Sequence, residues 1–194
     1  MDVLIHPLEP QDRPAAAELL DDALGAGFWS FDDPDDEIAF VAVLGTRPVG
    51  AVLCRLEPAG GPDARLALAG SGAPGGAAGE TPGEAPGTTV LHVRAIAVAP
   101  GSRRAGLARR LLAHAEEAAA SRGSRTAYLF AWLPARRPEP AAVPFYLSAG
   151  YAPGPDIPDF YAAGSLASGA DCPYCGAPPC RCAARPYTRP LGSL

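Results

Sequence analysis

Apolar and polar positions recur along this chain with periods that predict alternating strands and helices. Val3-Leu4-Ile5 is a short apolar run that fits a first strand. Asp12 stands just before Arg13-Pro14, a helix-start signal. The following stripe of Ala16, Leu19, Leu20 and Leu24 has helical spacing, and Gly25 and Gly27 end it. Residues 38–44 and 49–56 read as strands, joined by Gly45-Thr46-Arg47-Pro48 into a hairpin. Residues 89–98 form a strongly apolar strand. Residues 107–120 form a helix with Leu107, Leu111, Leu112 and Ala115 on one face, and Gly123 stops it. A strand at 126–133 and a short helix at 142–149 follow. Beyond Pro153 the pattern is irregular, with a last edge strand at 186–191. The order β, α, β, β, β, α, β, α, β predicts a mixed α/β domain.

Composition narrows this picture. The 194 residues are 48% hydrophobic and 19% charged, enough for one domain with a buried core. Residues 58–88 are rich in Gly, Ala and Pro and poor in large apolar side chains. Such a stretch buries too little surface to offset its ordering entropy, so it reads as a low-complexity mobile loop. All 16 basic residues are Arg, the net charge is −5, and the pI is about 5.2. That balance argues against a nucleic-acid partner and against an anionic membrane surface. No apolar run approaches the roughly 18 residues of a membrane helix, and residues 1–10 lack the pattern of a secretory signal. The expectation is a cytoplasmic protein, a monomer or a homodimer.

The most informative segment is Ile96-Ala97-Val98-Ala99-Pro100-Gly101-Ser102-Arg103-Arg104-Ala105-Gly106-Leu107-Ala108. A strand ends, a loop carries two Arg, and small residues open a helix. Backbone N–H groups at a helix start suit a phosphate or pyrophosphate, and Gly106 and Ala108 allow close approach. The pattern Val98, Pro100, Arg103, Gly106, Ala108 resembles the acetyl-CoA signature of the GNAT N-acetyltransferases. Ala142-Val143-Pro144-Phe145-Tyr146-Leu147-Ser148-Ala149-Gly150-Tyr151 resembles that family's next motif. The resemblance covers residues 1–161 and the final strand. It implies a GNAT fold: a mixed central β-sheet flanked by helices, a single N-acetyltransferase domain over 1–194. It also implies that the backbone amides of Arg103, Arg104, Ala105, Gly106, Leu107 and Ala108 hold the pyrophosphate of acetyl-CoA. Main-chain groups of Ile96, Ala97 and Val98 would pair with the pantetheine arm. One departure is Glu139, where the family often has Asn.

Acetyl transfer from a thioester to an amine needs a proton acceptor for the amine, a donor for the thioester oxygen, and a donor for the leaving thiolate. The resemblance implies that Tyr146 serves the thiolate; the competing reading is a Tyr packed on the core. Several family members carry a Glu base near the position of His92. Period-two alternation places His92, Arg94, Ile96 and Val98 on one face of their strand. His92 is therefore the candidate base, set against a partly exposed strand His with no role. Cys54, in a strand, reads as a small core residue rather than a nucleophile. The acceptor implied is a small-molecule or peptide amine. Asp32, Asp33, Asp35, Asp36 and Glu37 fill five of six positions beside Phe28, Trp29 and Phe31. An acidic rim of that kind would favour a cationic amine. Two non-enzymatic readings remain: a regulator that binds acyl-CoA, and an interaction module on a GNAT scaffold.

The fifth cysteine aside, Cys172, Cys175, Cys180 and Cys182 form a C-x2-C-x4-C-x-C cluster in residues 171–183. Cys-Pro-x-Cys-Gly resembles a zinc-ribbon knuckle, and four thiolates suit a structural Zn2+. The loop is thus a zinc-knuckle-like insertion before the last strand. Cys-Pro-Tyr-Cys also resembles a glutaredoxin dithiol, and unligated cysteines are the third reading.

Overall fold

Each stretch with a sustained period forms the element that its period demands. The computed structural model describes residues 2–25, 29–31, 35–69, 88–135, 142–169, 171–172 and 174–192. Its strands are β1 (Val3–Pro7), β2 (Glu37–Leu44), β3 (Arg47–Pro58), β4 (Thr89–Val98), β5 (Thr126–Leu133), β6 (Ala152–Pro153) and β7 (Ala183–Pro190). Its α-helices are α1 (Arg13–Leu24), α2 (Pro62–Ala69), α3 (Leu107–Ser121), α4 (Val143–Ser148) and α5 (Ala162–Ser168). The chain divides into two compact units: Met1–Pro58 with Gly87–Ala127 and Pro190–Leu194, and Ala59–Pro86 with Tyr128–Arg189.

In the first unit β1, β2, β3 and β4 lie side by side, each antiparallel to the next. Helices cover both faces. From α1, Ala16 and Leu20 pack on Ala51 and Leu53 of β3 and on Ala95 and Ala97 of β4. Gly50 points the opposite way. A Cβ on Gly50 would stand 3.0 Å from Leu111 of α3 and 3.3 Å from the Ala97 carbonyl. Glycine is what lets α3 approach β3 this closely. Leu107, Leu111, Leu112 and Ala115, the stripe read from the sequence, are all buried. A register shift between Leu53 and Cys54 pairs Leu53 with Ala95 and Cys54 with Val93, which makes Arg94 the extra residue of a β-bulge in β4.

In the second unit the strands lie in the order β5, β7, β6, and Tyr128, Leu129, Val143, Tyr151 and Tyr187 are buried. The last strand, expected at an edge, lies between β5 and the two-residue β6, and two helices also depart from the sequence expectation. Pro62–Ala69 is helical, although it falls in the stretch read as a mobile loop. Pro62 opens that helix and Ala64 and Ala67, three apart, bury its one close-packed stripe. Residues 70–87 lie outside the described ones. The second is α5, in a region read as irregular. Its Ala-Ala-Gly-Ser-Leu-Ala-Ser sequence has no apolar period to reveal it, and its one buried residue is Ser165.

Candidate active site

The segment after β4 is a candidate anion cradle, tied down by its own hydrogen bonds. The Ala99 N–H donates to the Val49 carbonyl at 2.9 Å, which anchors the strand end on β3. Pro100–Ser102 makes one 3-10 turn, closed by Ser102 N–H on the Ala99 carbonyl at 2.8 Å. Arg103 turns its Nε back onto the Val98 carbonyl at 2.9 Å. Arg104 and Gly106 both adopt left-handed backbone conformations, with φ of 66° and 74°. For Arg104 that costs about 1–2 kcal/mol, a strain that the surrounding loop must hold. Gly106 then caps α3, whose first helical hydrogen bond runs from the Arg110 N–H to the Gly106 carbonyl at 3.1 Å. The N–H groups of Leu107 and Ala108 precede that bond and point out of the helix end, where the dipole is positive. Residues 103–106 are exposed. A Cβ on Gly106 would meet nothing within 4 Å, so the ground above the helix end is open. The donor set and the open approach fit a pyrophosphate.

Tyr146 lies on α4, where Pro144 sits in the first turn and costs no hydrogen bond. Its ring packs against Phe145 at 5.5 Å and Tyr187 at 5.7 Å between centroids. Burial, and secondarily the Tyr187 phenol, push the Tyr146 hydroxyl up to about 12. It is a protonated donor at any physiological pH.

The bulge changes the reading of His92. Directly paired residues of antiparallel strands share a face, and the pairs are Val52 with Ile96, Leu53 with Ala95, Cys54 with Val93 and Arg55 with His92. One extra residue reverses alternation beyond it. His92 therefore stands on the α1 face, with Leu53 and Ala95, while Ile96 and Val98 face α3. The expectation that His92, Ile96 and Val98 share a face is wrong for that reason. His92 Nδ1 lies 3.0 Å from Glu57 Oε1, and the two side chains are only 13% and 17% exposed. An ionised carboxylate only accepts, so Nδ1 is the donor in this pair. Glu57 was not singled out from the sequence. It lies 35 residues away, and the pairing of β3 with β4 makes it a neighbour.

The same face carries the segment after α1. Trp29 and Phe31 pack on the α1 cluster, and Arg94 reaches the Ser30 carbonyl at 3.4 Å. The acidic rim expected here is partly spent. Glu37 is buried and bound by Arg13 at 2.6 Å, and Asp36 lies 3.6 Å from Arg55. Arg13 also covers the Phe31 ring at 4.5 Å. Asp32, Asp33 and Phe28 lie outside the described residues, as does Glu139. Cys54 is fully buried, and burial with the Glu116 charge pushes its thiol far up, so it is no nucleophile. Cys172, Cys175, Cys180 and Cys182 gather with all four sulfurs within 4.8 Å of one another. No helix follows Cys175 before β7, which removes the context that a glutaredoxin dithiol needs.

The sequence model of the Acetyltransferase (GNAT) family matches residues 5–151. This chain belongs to the GNAT acetyltransferase family. It is an acetyltransferase. Solved structures share the fold at low identity. The ribosomal-protein-S18-alanine N-acetyltransferase of Escherichia coli is 18% identical, with a TM-score of 0.61 over 100% of this chain and 96% of its own. Arabidopsis thaliana NAA60, solved with acetyl-CoA, is 13% identical, with a TM-score of 0.67 over 98% of this chain and 100% of its own. An N-acetyltransferase of Staphylococcus aureus is 12% identical, with a TM-score of 0.61 over 99% and 100%. No curated protein sequence matches. Among the described residues no helix is long and apolar enough to cross a membrane.

Proposed function

We propose that this GNAT acetyltransferase moves the acetyl group of acetyl-CoA directly onto a primary amine, with both substrates bound together. The observation that carries the reading is Gly106: a left-handed residue opening a 15-residue helix just after an apolar strand, above open space. Backbone amides of residues 103–108 take the pyrophosphate, and main-chain groups of Ile96, Ala97 and Val98 pair with the pantetheine arm. The amine nitrogen attacks the thioester carbon, the C–S bond breaks, and one proton leaves the nitrogen. His92 is the residue assigned to accept that proton, with Glu57 orienting its ring. Tyr146 serves the leaving sulfur. A phenol near 12 holds its proton more tightly than a thiol of about 8.5, so its part is a hydrogen bond that stabilises the thiolate.

A cationic amine would suit an acidic stretch beside Trp29 and Phe31, to which the inward-turned Glu37 contributes nothing. The four cysteines take no part in transfer. A closed shell of four thiolates has no open position for substrate, so the Zn2+ expected there is structural. A reducing compartment such as the cytoplasm keeps those thiols available. The test is release of free CoA thiol from acetyl-CoA across a panel of primary amines. The reading requires release that depends on the amine. Tight acetyl-CoA binding with no release for any amine would make the protein an acyl-CoA-binding regulator instead.

A further inference from the structure

We infer that Cys172, Cys175, Cys180 and Cys182 hold one Zn2+ in a tetrahedral shell, and that this metal fixes the cysteine loop against Trp132 and α5. The inference is independent of the acetyl-transfer reading. Between α5 and β7 the described backbone makes one bridge, Cys172 with Gly176, closed by hydrogen bonds of 2.9 and 2.8 Å. Main-chain pairing alone does little to hold this stretch. What gathers at its centre is sulfur: Cys172, Cys180 and Cys182 are each no more than 3% exposed.

The sulfur positions suit a metal. A Zn–S bond of about 2.3 Å sets the sulfurs of a tetrahedron about 3.8 Å apart. Cys172 and Cys182 are 3.7 Å apart, Cys175 and Cys182 3.5 Å, and Cys175 and Cys180 4.0 Å. No pair is joined as a disulfide.

Every sulfur also faces donors. The N–H groups of Tyr174 and Cys175 point at Cys172 Sγ. The Arg181 N–H reaches Cys175 Sγ and the Cys182 N–H reaches Cys180 Sγ, both at 3.4 Å. Cys182 Sγ faces the Ala135 N–H. Neutral thiols packed as small apolar groups need no such cage. Four thiolates around Zn2+ carry a net charge of −2, and inward N–H dipoles are what offset it in a buried site. Gly176, at φ 81°, lets the knuckle turn. The site also reaches α5, because the Cys180 N–H donates to Ser165 Oγ at 2.8 Å. Trp132 and Tyr161 pack on the cysteines. Metal binding here orders a helix and an indole as well as a loop.

The experiment uses the full chain made in zinc-replete cells. Metal analysis is expected to find about one Zn2+ per chain. A thiol-reactive probe is expected to label none of the four cysteines rapidly in the native protein, and all four after chelation. Trp fluorescence is expected to shift on chelation and recover when Zn2+ is restored. Cys175 is the least buried of the four, so Cys175→Ser is expected to lose the metal with least disturbance. Cys175→His, which keeps a ligand, and Cys54→Ser, outside the cluster, are expected to retain it. Protein without zinc, protein carrying stoichiometric iron, labelling unchanged by chelation, or zinc retained in Cys175→Ser would each overturn the inference.

Discussion

Tyr146 and His92 serve opposite ends of the proposed transfer, one hydrogen-bonding the leaving sulfur and the other accepting the amine proton, and each can be removed alone. Tyr146→Phe and His92→Gln are predicted each to lower kcat by about 10²-fold or more, with acetyl-CoA affinity nearly unchanged, because both groups act in the transition state. Steady-state kinetics beside calorimetric titration checks this; wild-type kcat in either variant returns that residue to packing. Tyr146 also makes a pH prediction. Its folded value is raised to about 12 against about 10 in the unfolded chain. Its contribution to stability is therefore full below pH 10 and is lost as pH rises through 12. Tyr146→Phe is predicted to lose less stability across that interval in alkaline unfolding. At this scale the sequence was legible where position follows local pattern: Tyr146 in a short helix, four cysteines in one cluster. It was not legible at His92, whose face depends on a bulge at Arg94. That bulge arises from how β4 pairs with a strand over thirty residues away, and no local alternation reveals it.

Helix α3 and strand β4 are the elements on which the cradle rests. Gly106 joins them at φ 74° with open space around it. A side chain there meets no protein atom, so its cost to folding is the backbone conformation alone, about 1–2 kcal/mol. Gly106→Glu is predicted to keep the fold while weakening acetyl-CoA binding at least tenfold, because its carboxylate stands where a pyrophosphate must sit. Unchanged affinity by calorimetry would remove the cradle from the binding site. The ends of β4 and the start of α3 were readable because each keeps its period to a hard stop, Pro100 or Gly106. Helices α2 and α5 were not, because their buried sides are made of small residues and leave no stripe of large apolar side chains. Their burial rests on close approach of small residues, a signal that periodicity does not carry.

The whole molecule is acidic, with a net charge of −5, yet the charge nearest the α1 face is less than the sequence suggests. Arg13 and Arg55 take up Glu37 and Asp36. If the remaining acids still steer a cation, kcat/KM for a cationic amine falls as salt rises and again in Asp35→Asn; an insensitive kcat/KM assigns them to solvated surface. The central claim, direct transfer to an amine, concerns the complete protein with both substrates. Its most direct test is amine-dependent release of CoA thiol with acetyl-CoA and amine varied together. Direct attack with both substrates bound predicts double-reciprocal lines that intersect. Parallel lines, the mark of an acyl-enzyme, or thiol release that proceeds equally without amine, would contradict it.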